Sequence, residues 1–276
     1  MRVTNYICPH TNYISMFRYI RYSLQSFPVH VIIWKISCKV FRTKLPQLQA
    51  WQNDFKGKHG IEIGGPSRMF MNGYFSLYPV LGALDGVNFS NYTIWEGTLA
   101  EGYNYKYYDK IGYQYIAEGD NLININSTSY DFLLSCNNLE HMANPLKAIF
   151  EWKRILKEGG LMLLILPNKK SNFDHRRPYT TMQHLIDDYN NKTGEDDMTH
   201  KKEILELHHL SRDPYAKTYK YFESRCNNNF ENRGMHHHVF SQNLLKGMIQ
   251  FCGLEVLRQY SSYTDHFILA NKNTKL

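Results

Sequence analysis

The sequence predicts an α/β domain built on a mainly parallel sheet. Two observations predict it. Short, continuously apolar segments such as Tyr130–Ser135 and Leu161–Leu166 suit strands buried on both faces. Helix-spaced segments alternate with them, as βα units require. A chain of 276 residues buries roughly three quarters of its unfolded surface, so it needs no disulfide or metal staple.

The elements follow in order. Residues 1–57 place Tyr13, Met16, Phe17, Ile20, Ile32, Ile33, Ile36, Val40 and Phe41 at loosely helical spacing, predicting an N-terminal helical cap. A basic membrane-surface helix through Arg18, Arg21, Lys35, Lys39 and Arg42 is the sharper alternative. Residues 58–276 form the main domain, beginning with a strand that runs into the glycine turn of HGIEIGGPS, His59 to Ser67. Gly82–Phe89 reads as the second strand, Gln114–Ala117 as the third and Tyr130–Ser135 as the fourth. A helix over Asn144–Lys157 starts with Asn144 as N-cap and Pro145 at its first position, and stops at Glu158-Gly159-Gly160. The fifth strand, Leu161–Leu166, ends at Pro167.

Residues 169–235 break the rhythm. They are rich in Asp, His, Asn and Lys and read as a largely helical substrate-region insertion. The pattern resumes at His238, with Ser241 capping a helix over Leu244–Cys252, Gly253 as its stop, and strands at Leu254–Leu257 and Phe267–Ala270.

Composition narrows the partners. The net charge of +7 favours anionic molecules, but the basic residues are dispersed, which argues against nucleic acid. Cys8, Cys38, Cys136, Cys226 and Cys252 are an odd set without CxxC spacing, fitting free thiols in a reducing compartment. The N-terminal region shows no secretion signal, and its longest apolar run, Val29–Ile36, is too short to span a bilayer. A cytoplasmic protein is the expectation.

Two motifs carry chemistry. In the first, Glu62-Ile63-Gly64-Gly65 ends a strand with glycines that let a ligand approach the backbone. The dinucleotide fingerprint G-x-G-x-x-G is absent, which disfavours a dehydrogenase. The second is SYDFLLSCNNLEHMANPLKAIFEWKRILKEGGLMLLILPN, residues 129–168. It resembles the fourth- and fifth-strand region of class I S-adenosylmethionine-dependent methyltransferases, of the methyltransferase type 11 kind. The likeness covers residues 58–168 and, more loosely, 236–270.

The resemblance implies a Rossmann-like fold with a mainly parallel seven-stranded sheet and S-adenosylmethionine as cofactor. It implies that Glu62, Gly64 and Gly65 meet the methionine portion of the cofactor. Asp85 would take the ribose, with Asn88 as the alternative. Asp120 would meet adenine, and Asn137 would line the cleft. The first motif departs from the family in having Pro66 and Arg68 where further glycines could stand.

Methyl transfer to a hydroxyl needs a proton acceptor or a metal. His175, His184 and His141 are the candidate bases, with Asp side chains such as Asp174 and Asp188 to steer them. His184 and Asp188 share a helix face at i, i+4. No spacing matches a metal signature, so no metal is assigned. In His236-His237-His238, alternation of faces prevents all three from holding one ion in an extended chain, although one could turn toward the cleft. The expected reaction is O-methylation of a sugar or glycan precursor of surface polysaccharide. An N- or RNA methyltransferase of the same fold, or a non-catalytic cofactor-binding scaffold, are the alternatives.

Overall fold

The structure, a computed structural model, describes residues 46–72, 75–213 and 215–273, together with Val29 and Ile32. The rest of the expected cap, including the basic helix through Arg18 to Arg42, lies outside the described residues.

The strands follow in chain order. They are β1 (His59–Ile63) and β2 (Ala83–Asn88), then a small hairpin of β3 (Tyr92–Thr93) and β4 (Gly97–Thr98), then β5 (Gly102–Tyr107) and β6 (Lys110–Ile116). After these come β7 (Tyr130–Cys136), β8 (Leu156–Pro167), β9 (Glu255–Ser261) and β10 (Asp265–Asn271). The main sheet has order β5-β6-β2-β1-β7-β8-β10-β9. Neighbours from β6 to β8 pair in parallel, whereas β5 and β10 run antiparallel to theirs. The order reverses between β1 and β7, so the loops leaving their carboxyl ends open a crevice there, as in other doubly wound sheets.

The sheet has eight strands rather than the expected seven. The additional one is β5, read from sequence only as an irregular Tyr- and Gly-rich stretch. Its Tyr105 and Tyr107 are buried on one face while Asn104 and Lys106 are exposed, a period-two pattern joined to β6 by the two-residue turn Tyr108-Asp109.

Helices cover both faces: α1 (Pro46–Gln52), α2 (Arg68–Asn72), α3 (Pro145–Ile155), then α4 (Met182–Asn191), α5 (Lys201–Leu207), α6 (Tyr219–Asn227) and α7 (Asn229–Asn232) of the insertion, and α8 (Gln242–Phe251). On one face α3 and α8 bury Leu146, Ile149, Trp152, Leu245, Met248 and Ile249 against the strands. On the other, Leu48, Trp51 and Phe55 pack with Phe70, Phe75, Phe132 and Phe267. Each such fully buried large side chain contributes about 1.5–3 kcal/mol relative to exposure.

The caps of α3 and α8 are those the sequence predicts. Asn144 Oδ1 accepts the Lys147 N–H at 3.1 Å, and Ser241 Oγ accepts the Leu244 N–H at 3.1 Å. The stop of α3 differs. It ends at Ile155, and Gly159, at φ +71°, lies within the long strand β8 rather than capping the helix. Its N–H donates to Lys272 O at 2.7 Å, so strand pairing sets this conformation. Among the described residues, no helix is long and apolar enough to cross a membrane. Cys136, Cys226 and Cys252 are buried free thiols.

Candidate active site

The crevice is built from the carboxyl ends of β1, β2, β6 and β7. The turn after β1 is fixed by Glu62, whose fully buried carboxylate accepts from Tyr78 Oη at 2.6 Å, Tyr105 Oη at 2.7 Å and the Ser67 N–H at 3.1 Å. Burial pushes its carboxyl up despite these three donors. Glu62 thus holds the turn in shape from beneath. Above it, Gly64 has φ +79°, and a Cβ there would lie 2.5 Å from Asn138 Oδ1. Gly65 sits directly on the Glu62 carboxyl, which a Cβ would strike at 2.3 Å.

Asp85 does not reach this edge. It pairs in register with Ile61, three residues before the end of β2. Its carboxylate accepts the Tyr113 N–H at 2.8 Å and Tyr130 Oη at 2.9 Å, and lies 3.1 Å from His59 Nε2. Burial alone would raise it, but His59, the Tyr113 amide and Tyr130 together hold it below the usual carboxylate range. Asn88 is the polar residue at the strand's end, donating from Nδ2 to Gly65 O at 3.0 Å.

Past β6, Asp120 pairs with Lys147 at 2.9 Å, and the Gly119 carbonyl accepts from Trp152 Nε1 at 2.7 Å. Past β7, Asn137 is exposed in the left-handed region at φ +49°. Asn138 beside it carries a buried Nδ2 with no hydrogen-bond partner. An orphaned amide over a glycine turn is a donor awaiting a ligand. A cofactor bearing a carboxylate and hydroxyls fits such a cradle of backbone, orphaned amide and strand-end side chains.

The insertion closes one side. Arg233 donates to Glu118 Oε1 and Glu195 Oε2, each at 2.7 Å, and lies over the Phe89 ring. The short turn Leu139–His141 leads from Asn138 to a second group of polar side chains. His141 Nδ1 lies 2.9 Å from Met235 O, and its ring meets those of Trp95 and His236. Burial and the neighbouring His236 hold His141 well below its ordinary value, hence neutral.

His236 Nδ1 lies 2.5 Å from Asp174 Oδ2, deep in the protein. Burial disfavours the imidazolium, but Asp174 outweighs it and raises His236. Burial likewise opposes ionisation of Asp174, yet His236 and Arg177 hold it well below the carboxylate range. Arg177, itself 1% exposed, donates to Asp174 Oδ1, Glu203 Oε1, His236 O and His237 O. Glu140 completes the group, pushed up to about 7 by burial, with Oε2 lacking a hydrogen-bond partner.

The other expected bases lie elsewhere. His175 faces His209, Nε2 to Nδ1 2.8 Å, where burial and the charges of Arg212, His209 and Arg176 bring it down to about 4. It does not share the Asp174 carboxylate, which turns to the opposite partners. His184 sits on α4 beside Asp188, 3.4 Å away, and against His200 at 3.1 Å. Of the three expected histidines, His141 lies at the end of the short turn that follows Asn138. His236 went unassigned in the sequence, although alternation within the triplet marked one of its members as free to turn inward. Arg233 and Asn138 carried no sequence signal.

Residues 87–164 match the family described as Methyltransferase domain. That segment runs from the last residues of β2 into β8, so it takes in the carboxyl ends of β2, β6 and β7 but not that of β1. No curated protein matches the chain. Among solved structures, the chain is similar to one in a complex containing the Haloferax volcanii Trm112 methyltransferase activator, with 13% identity over 83% of this chain and 88% of that one, at a TM-score of 0.48. It is similar to an S-adenosylmethionine-dependent methyltransferase from Methanosarcina mazei, with 15% identity over 84% and 99% and a TM-score of 0.43. A third, from Aquifex aeolicus, has 11% identity over 82% and 87%, with a TM-score of 0.40. Residues 87–164 thus carry a match to a methyltransferase domain, and the activity that the domain marks is S-adenosylmethionine-dependent methyl transfer.

Proposed function

We propose that the protein methylates a hydroxyl of a sugar or glycan precursor in surface polysaccharide synthesis, with His236 as proton acceptor. The observation that carries this reading is the buried Asp174–His236 pair beside the crevice. A free amine attacks through its lone pair without a strong base, whereas an alcohol needs a base or a metal. Asp174 takes Nδ1, so Nε2 is the nitrogen left to receive the proton. The carboxylate orients the ring and stabilises the imidazolium as it forms, as in other Asp–His arrangements.

S-adenosylmethionine supplies an electrophilic methyl on its sulfonium. In this reading the chain's residues divide the remaining work. Gly64, Gly65 and the orphaned Asn138 amide receive the methionine portion, and Glu62 keeps their turn rigid. Asn88 replaces Asp85 at the ribose, because Asp85 is committed to His59, Tyr113 and Tyr130. Asp120 and Asn137 line the adenine side. His141, neutral and half-buried, packs Trp95 over the acceptor's entry. Arg176 and Arg212, both near His175, supply charge for a phosphate-bearing acceptor. The three free thiols suit a cytoplasmic enzyme.

Transfer of tritiated methyl from S-adenosylmethionine to a panel of nucleotide sugars, small amines and RNA tests the reading. Label in a sugar, lost in His236→Gln, is expected. Label only in RNA or amines would overturn it, and cofactor binding without transfer to any acceptor would favour a scaffold.

A further inference from the structure

The insertion contains a second polar cluster that methyl transfer does not use. His184 and Asp188 stand one turn apart on α4, His200 immediately precedes α5, and His238 lies on the extended chain that returns from the insertion. Three separate segments thus converge. His184 Nε2 is 3.1 Å from His200 Nε2 and 3.4 Å from Asp188 Oδ2, and the His238 ring, whose Nε2 donates to Ala143 O at 3.2 Å, is left with Nδ1 as its free nitrogen. One nitrogen from each of the three histidines falls within 4.8 Å of the others.

These separations are informative. A tetrahedral ion with bonds of about 2.05 Å places its donor atoms about 3.3 Å apart, between the 3.1 Å and 3.4 Å found around His184 Nε2. Two buried atoms of the cluster lack any hydrogen bond: Asp188 Oδ2 and His238 Nδ1. A buried carboxylate oxygen without a donor is costly, and a cation satisfies it.

We propose that His184, Asp188, His200 and His238 bind one divalent transition-metal ion, zinc by preference, which fastens the insertion to the catalytic domain. Three imidazoles and one carboxylate form a borderline-soft set that suits zinc better than magnesium or calcium. The insertion's own apolar cluster is small, with Ile204, Ala216, Phe222, Cys226 and Met235 at its centre, so a metal cross-link there has much to stabilise. The site is closed by four protein ligands, which marks it as structural.

The test uses the full chain, stripped by chelator and titrated with Co2+ and Zn2+. One equivalent of Co2+ with the intense visible absorption of a tetrahedral site is expected, displaced by Zn2+, together with a chelator-induced drop in Tm. Asp188→Asn and His200→Gln should each weaken Co2+ at least about tenfold, with circular dichroism matching that of stripped wild type. Should His200→Gln not fold, the isosteric Asp188→Asn decides. Glu140→Gln, in the other histidine group, should bind Co2+ as wild type does. The absence of a tetrahedral spectrum in wild type would overturn the proposal. So would its survival in both ligand variants, or its loss in Glu140→Gln alone.

Discussion

Replacing Asp174 by asparagine strands the Arg177 guanidinium in the interior. Arg177 is 1% exposed and holds four acceptors, of which Asp174 and Glu203 are charged. Breaking one side of a buried ion pair costs about 3–5 kcal/mol. Glu203, 35% exposed, and two carbonyls remain to Arg177, so the cost falls near the lower end, about 3 kcal/mol. A chain of this size loses about 2–4 °C per kcal/mol, which gives a Tm lower by about 6–12 °C. Arg177→Met should cost a similar amount, and the double variant less than the sum by at least about 1 kcal/mol. Urea unfolding followed by far-ultraviolet circular dichroism measures all three. The pH dependence has a definite sign. Asp174 is lowered by folding, so its contribution is present above about pH 4 and lost as pH falls through its native value. His236 is raised, so its contribution is present below about pH 6.5 and lost as pH rises through its native value. A loss under about 1 kcal/mol in Asp174→Asn, or strict additivity of the two variants, would refute this reasoning.

Two further outcomes follow from the same contacts. The kcat/KM should rise with pH through an apparent pKa above the ordinary histidine value, because Asp174 raises His236. That limb should move to lower pH in Asp174→Asn, assayed below its melting range; an unmoved limb would remove His236 as the base. Asn144→Ala deletes the acceptor for the Lys147 N–H and should cost about 1 kcal/mol in urea unfolding, with no measurable change expected if the cap were idle.

The sheet was largely legible because buried parallel strands must be apolar throughout, and Asn144 and Ser241 announced their helices by local chemistry. What was illegible depends on long-range register. Asp85 looks like a strand-end carboxylate, yet its depth is set by pairing with Ile61 on β1, which no local pattern records. β5 was hidden because tyrosines, rather than aliphatic residues, fill its inward positions. Asp174-His175 reads as an acid–base pair, but neighbours in the chain project apart, and Asp174 instead meets His236, 62 residues on. The resemblance located the crevice; the insertion's partners emerged only from how it folds back across the strand ends.

S-adenosylmethionine is proposed to occupy the crevice at Gly64, Asn88 and Asn138. Calorimetric titration with S-adenosylhomocysteine tests it. One-to-one binding is predicted, weakened at least about tenfold, or 1.4 kcal/mol, in Asn88→Ala and in Gly64→Ala, whose Cβ would strike Asn138. Asp85→Asn should bind within about threefold of wild type, since Asp85 lies away from the strand ends. No binding by the wild-type protein, or a loss in Asp85→Asn as large as that in Asn88→Ala, would contradict it.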